Sequence, residues 1–172
     1  VGRRPFADLL GLEGTAVGVD ERGFVQVDER CRTAEAGVWA VGDLVNTPQL
    51  AHVAFAEGML AIRDILGEEP APLDHHGTPW CIYCNPEIAF AGHTEASATE
   101  AGFDVVSSKH HFVGNGRAKI VGDTDGIVKV IAEKRPDGTG GRILGVHMVG
   151  PWVTEQLGQG YLAVNWEATV DD

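Results

Sequence analysis

The chain has 172 residues, 44% of them apolar and 22% charged, with a formal net charge of -12. That composition fits one globular domain or two small ones. The excess of acid argues against nucleic acid or an anionic membrane as a partner, since both need a basic face. No apolar run is long enough to span a membrane, and no charged-then-apolar leader opens the sequence. Three cysteines, an odd number, do not make a disulfide framework, so a reducing cytoplasm is the expected setting.

From Pro5 to Asp20 the chain reads as loop and turn, anchored by Leu9, Leu10 and Leu12. Asp20 to Gly23 is a turn, and Phe24 to Val27 alternates apolar and polar as a half-buried strand does. A second turn follows Cys31. Gly37-Val38-Trp39-Ala40-Val41 is then a short apolar run between glycines, expected to form a buried strand. Gly42 lets the backbone turn sharply where the run stops. Asp43 falls just past its carboxyl end, where open α/β sheets bind ligands. A carboxylate there accepts hydrogen bonds from sugar hydroxyls or caps its own turn, and the residues alone leave both open. After Pro48, the stretch Gln49-Leu50-Ala51-His52 opens a helix expected to run to about Leu66 and to stop at Gly67. Val53, Ala56 and Leu60 share one face of it, and Met59, Ile62 and Leu66 share another. The start of such a helix offers unpaired N–H groups and partial positive charge.

Residues 67 to 79 hold Pro70, Pro72 and Pro79 among acids and histidines, a linker composition that sets a domain boundary near residue 76. Beyond it, strands are expected at Trp80–Tyr83, Ile88–Ala91, Val105–Val106, Ala118–Val121, Ile127–Ile131 and Ile143–Val149. Gly122 to Gly126 is read as a hairpin turn, and Arg135 to Gly141 as another turn. A helix from about Glu95 to Ala101 has Thr94 as its N-cap and Gly102 as its stop. A longer one runs from about Trp152 to Trp166. Antiparallel strands with helices set to one side describe an α+β domain.

Three local patterns invite chemistry and fail on context. Cys81-Ile82-Tyr83-Cys84 has redox-pair spacing but falls in an expected strand, without the helix N-terminus that stabilises a thiolate. Cys31 reads as a lone packed thiol. His75-His76 and His110-His111 are adjacent pairs whose side chains diverge, with no Cys or carboxylate at zinc spacing, so no metal site is expected. Gly158-Gln159-Gly160-Tyr161-Leu162-Ala163 matches a dinucleotide pattern but lies inside an expected helix rather than between strand and helix. Its glycines are read as letting another helix approach. No catalytic residue is assigned.

Gly42-Asp43 followed by Gln49-Leu50-Ala51-His52 resembles the second flavin-binding motif of the pyridine nucleotide–disulfide oxidoreductases. Gly2-Arg3-Arg4-Pro5 matches the end of that family's NAD domain. Cys84-Asn85-Pro86-Glu87-Ile88 and Asn115-Gly116-Arg117-Ala118 match its interface domain. The likeness covers essentially the whole chain and is closest to the dihydrolipoyl dehydrogenase branch. It implies an α/β remnant of a FAD/NAD(P)-binding domain over residues 1–76, then an α+β dimerisation domain with an antiparallel sheet over residues 77–172. It implies FAD and NAD as cofactors. Asp43, at the turn made by Gly42, would hold the ribitol of FAD. The amides of Gln49, Leu50, Ala51 and His52 would meet the flavin ring near its pyrimidine edge, where a reduced flavin is negative. Gly2, at the end of the NAD domain, would be a further cofactor-binding residue. The implied partners are a second copy of the chain and a lipoyl-bearing 2-oxo acid dehydrogenase complex.

The family's redox disulfide, both its dinucleotide fingerprints and its closing His–Glu acid–base pair have no counterpart in these residues. With Val1 in place of an initiator Met and an end soon after a helix, the sequence reads as a part of such an enzyme, inactive alone. A mercuric, glutathione-type or transhydrogenase flavoprotein shares the same landmarks, and a non-catalytic dimerisation module is the alternative from another class.

Overall fold

A computed structural model describes residues 4–172; Gly2 lies outside them. The chain divides into two compact units, one up to His75 and one from His76 onward.

The first unit has one long element, helix α1, Ala51–Ile65. Leu50 precedes it in extended conformation, and the amides of Val53 and Ala54 both turn back to the Leu50 carbonyl. Its buried positions are Val53, Glu57, Leu60, Ala61 and Asp64. The face carrying Phe55, Met59, Ile62 and Leu66 is between 57% and 76% exposed. Two of the inward positions are therefore acids, which a purely apolar pattern does not mark. The run from Gly37 to Val41, expected as a buried strand, pairs only through an isolated Arg32–Trp39 bridge. Phe24–Val27, expected as a strand, makes isolated bridges from Val25 to Val19 and, in parallel, to Val45. Gly37 opens its segment in a turn at φ +82°, and Val25, Ala40 and Val45 are buried with Ala7. Single bridges rather than a ladder leave this half as the rim of an α/β layer.

The second unit is built on a five-stranded antiparallel sheet in the order β1-β2-β5-β4-β3. The strands are β1 Trp80–Ile82, β2 Glu87–Gly92, β3 Val105–His111, β4 Ile127–Lys134 and β5 Gly140–Gly150. Helix α2, Glu95–Glu100, starts at Thr94, whose hydroxyl accepts from the Ser97 amide in a reciprocal capping box. Residues 116–121 form helix α3, Gly116–Val121, where a strand was expected. The Asn115 side chain caps the Ala118 amide, and Gly122 closes the helix in a left-handed conformation. Those two signals outweigh the β-branched pair Ile120-Val121, and the supposed hairpin turn is the exit from a helix.

Helix α4, Val153–Asn165, follows Trp152. It buries Val153 and Leu157 against Ala89, Ala91, Val146 and Met148 on one face of the sheet. On the other face, Ala98 of α2 packs on Ile131 and Leu144, and Glu95 pairs with Lys129 at 2.7 Å. Helices thus cover both faces, not one. The register shift between Ile131 and Ala132 changes the alternation along β5, and Leu144 joins the α2 side. Gly160, part of the dinucleotide-like pattern, lets α4 approach the sheet: a Cβ there would stand 2.9 Å from Val146. The approach is to a strand rather than to another helix.

The pair Gly92–Gly145 ends the β2–β5 ladder, and a Cβ on Gly145 would run into the His93 carbonyl. Gly145→Ala should therefore cost about 1–3 kcal/mol. Gly158→Ala, with open space around it in α4, should gain up to about 1 kcal/mol. Urea unfolding of the two variants checks this; equal midpoints would show that the close approach carries no weight.

Candidate functional site

Gly42, Asp43 and Leu44 form a single 3-10 turn after extended Val41. Gly42 has φ +77°, and a Cβ there would lie 3.3 Å from the Ala54 methyl of α1. The positive φ favours glycine, and the Ala54 contact leaves a side chain there little space. The turn is held at three points. The Gly42 N–H donates to Oε2 of Glu57 at 2.6 Å. The Val45 amide donates to the Gly42 carbonyl at 2.9 Å. The Gln49 side-chain amide donates to the Asp43 carbonyl at 3.3 Å. The backbone around Asp43 is thus fixed, and the residue is exposed.

The chain then reaches the start of α1. Leu50 is half-buried, and Ala51 and His52 are exposed in the first helical turn, where amides have no acceptor within the helix. Gln49 combines two roles, entry to the helix and clasp of the Asp43 carbonyl. In this loop the Thr47 hydroxyl is buried and has no hydrogen-bond partner among the described residues. The structure therefore brings Gly42, Asp43, Gln49, Leu50, Ala51 and His52 into one continuous turn–loop–helix segment. Gly2 is outside the described residues.

Sequence reasoning missed Glu57. It is 1% exposed, and its Oε1 is buried with no partner among the described residues. It also missed Asp64, which accepts from Arg32 Nε at 2.6 Å, from Arg32 Nη2, and from Trp39 Nε1 at 2.9 Å. The Arg32 guanidinium, with help from the Trp39 indole, holds the Asp64 carboxyl below the usual carboxylate range. The available signal was spacing: Val53, Glu57, Leu60 and Asp64 recur at helical intervals, so the acids lie on the buried face. Burial, then Glu57 and the other nearby acids, pushes the Cys31 thiol up to about 11, which makes it a packing residue at neutral pH.

The other chemical candidates have ordinary partners. Cys81 Sγ lies 3.8 Å from the Thr154 carbonyl, and burial followed by Glu155 and Glu87 pushes its pKa up. Cys81 is therefore not stabilised as a thiolate. Cys84 Sγ lies 3.0 Å from the Pro86 carbonyl. His76 stacks on His93 at 4.3 Å, and His147, for which the sequence suggests no partner, donates from Nε2 to the His93 carbonyl at 2.9 Å. Among the described residues no group of three His, Cys, Asp or Glu side chains is placed to hold a metal ion, and no helix is long and apolar enough to cross a membrane.

FAD suits the first-unit segment on its own terms. A rigid turn presents an exposed carboxylate residue as an acceptor for hydroxyls. A buried hydroxyl at Thr47 lacks a partner among the described residues, and a fifteen-residue helix begins nearby with exposed first-turn residues. For NAD, no phosphate-cradling glycine loop stands among the described residues; the Gly158–Gly160 pattern lies within α4.

Comparison with known proteins gives the family of the chain. Residues 1–58 match the family model for pyridine nucleotide-disulphide oxidoreductases, and residues 78–172 match the dimerisation domain of the same family. The chain is 39% identical over its whole length to dihydrolipoyl dehydrogenases of Cupriavidus necator and Bacillus subtilis. It is 38% identical to the mitochondrial dihydrolipoyl dehydrogenase of Caenorhabditis elegans. It spans about a third of the length of these relatives, 34–36%. Among solved structures, LpdA from Mycobacterium tuberculosis superposes with a TM-score of 0.87 at 26% identity, over 99% of this chain and 36% of that one. The HOCl-induced flavoprotein disulfide reductase RclA from Escherichia coli, as its Cu(II) complex, gives 0.82 at 25% identity, over 96% of this chain and 37% of that one. Members of the family use FAD and NAD. The expected fold class holds, an α/β portion followed by an antiparallel α+β unit. By both halves of its sequence, the chain belongs to the pyridine nucleotide-disulphide oxidoreductase family.

Proposed function

We propose that these residues form one wall of the flavin site and the pairing surface of a dihydrolipoyl dehydrogenase. The reaction oxidises dihydrolipoamide to lipoamide; two electrons and a proton leave as hydride to NAD, and the second proton is released. Bound FAD supplies the relay between dithiol and nicotinamide. The chain's own residues bind and orient it. Asp43 accepts from the ribityl hydroxyls, and the stretch from Gln49 to His52 that leads into α1 brings N–H groups and partial positive charge to the ring edge that becomes negative on reduction. Of these amides, that of Leu50 donates to the Pro48 carbonyl at 2.8 Å. Gly2 belongs to the same reading as part of the cofactor domain's end. The observation that carries the proposal is the Gly42–Asp43 turn, fixed at Glu57 and Gln49 and followed at once by a helix start.

The relatives that support the dithiol substrate are between 37% and 41% identical. A sibling flavoprotein disulfide reductase would share this site, and turnover of dihydrolipoamide against other dithiols separates the two. A lipoyl-bearing 2-oxo acid dehydrogenase complex is the partner that fits a lipoyl substrate. Bacterial relatives support a cytoplasmic setting, while some relatives are mitochondrial.

Asp43→Ala, made in the longest natural polypeptide that carries this sequence, should weaken FAD binding by about 1.5–3 kcal/mol, the worth of a hydrogen bond to a charged group. Full flavin content with unchanged affinity would defeat the assignment.

Pairing rests on the second unit. Trp152, Leu162 and Trp166 are 68%, 40% and 76% exposed on or beside α4. Soluble monomers seldom expose such a patch, and an obligate homodimer buries roughly 2,000 Å² or more. Sedimentation at micromolar concentration should show a dimer, and Leu162→Asp should shift it toward monomer. A well-behaved monomer would end the pairing reading.

A further inference from the structure

We propose that Glu57 is the positioning residue that aims Asp43 at the flavin; this rests on the flavin reading above. The flavin contacts assigned to this segment come from two places, the carboxylate of Asp43 and the first turn of α1. Their spacing depends on what ties the turn to the helix. Two positions on α1, one turn apart, do so. Ala54 lies close to Gly42, its methyl 3.3 Å from where a Cβ would stand. Glu57 accepts the Gly42 N–H at 2.6 Å, directly before Asp43. The bond is short, and a carboxylate acceptor makes it stronger than one between neutral groups.

Burial makes the choice of residue informative. At 1% exposure, a carboxyl group is costly at a position where a leucine would pack. One of its oxygens has no hydrogen-bond partner among the described residues, so it is not there to complete a polar network. The other accepts the turn amide. Gln49 clasps the Asp43 carbonyl from the other side. Between them, Glu57 and Gln49 fix the backbone before and after the Asp43 side chain, and the direction of that side chain follows.

The test uses the longest natural polypeptide carrying this sequence, with Glu57→Ala, Glu57→Gln and Asp43→Ala compared. FAD affinity is read by flavin fluorescence, and exchange of the Gly42 amide by hydrogen–deuterium exchange of the apoprotein. Glu57→Ala, folded by circular dichroism, should bind FAD about tenfold more weakly and exchange the Gly42 amide faster. Glu57→Gln, whose side-chain carbonyl still accepts the bond, should restore slow exchange and bring affinity to within about threefold of the parent. A folded Glu57→Ala with parental affinity overturns the proposal, as does equal weakening by Glu57→Gln with the Gly42 amide still protected. Asp43→Ala then separates the failures: weakened binding there leaves the flavin reading standing, and parental binding there removes it as well. Should Glu57→Ala not fold, Glu57→Asp, one methylene shorter, takes its place with the same expectations.

Discussion

Two buried carboxylates on one face of α1 organise the first unit. Glu57 and Asp64 stand two helical turns apart. One holds the Gly42 amide, and the other holds Arg32 and the Trp39 indole. Single bridges join the extended segments here, so the ladder bonds that fix most sheets are few. Hydrogen bonds from loops to a helix take over that work. A buried acid is stable only when paired or bonded, and Asp64 meets that condition fully. Glu57 meets it with one oxygen and leaves the other unbonded among the described residues. That asymmetry sits beside the residue assigned to the cofactor.

The second unit depends on a different constraint, the close approach of backbones. Gly92 and Gly145 pair where the chain turns from β2 toward α2, and the His93 amide donates to the Leu144 carbonyl at 2.8 Å. The irregular register of β4 and β5 at that level directs Leu144 to the α2 side, while Val146 and Met148 serve α4. A sheet with both faces partly covered keeps its edge strands short or charged: β1 has three residues, and β3 ends in Lys109-His110-His111. Edges of that kind resist unplanned pairing, and exposed apolar side chains lie on helix α4 and its flanks, on α3 at Ile120 and Val121, and at Val113 and Tyr83.

Much of this was legible in the sequence. The helix from Ala51, the Thr94 cap, most of β4 and β5 and helix α4 announced themselves by periodicity, capping residues and glycine stops, while β3 showed only its first two residues, Val105 and Val106. The turn–loop–helix segment at Gly42 to His52 was legible because a glycine, an acid and a helix start follow an apolar run. Three things were not. Ile120 and Val121 look like strand residues, and only Asn115 and Gly122 at the two ends show that the segment closes as a helix. Gly37 to Val41 looks like a strand, but a strand is defined by partners, and pattern within the segment says nothing of them. Glu57 and Asp64 share the helical spacing of Val53 and Leu60, which marks their face, but the donors that let them be buried there, the Gly42 amide and Arg32 with Trp39, are distant in sequence and spacing does not name them.

The central claim is that the turn at Asp43 and the start of α1 hold one flavin between them. It is tested most directly by a crystal structure, with FAD bound, of the longest natural polypeptide carrying this sequence. The account requires an Asp43 carboxylate oxygen within about 3.2 Å of a ribityl hydroxyl, with the flavin ring against the first turn of α1. A flavin bound elsewhere, or an Asp43 side chain folded back to cap its own turn, would contradict it.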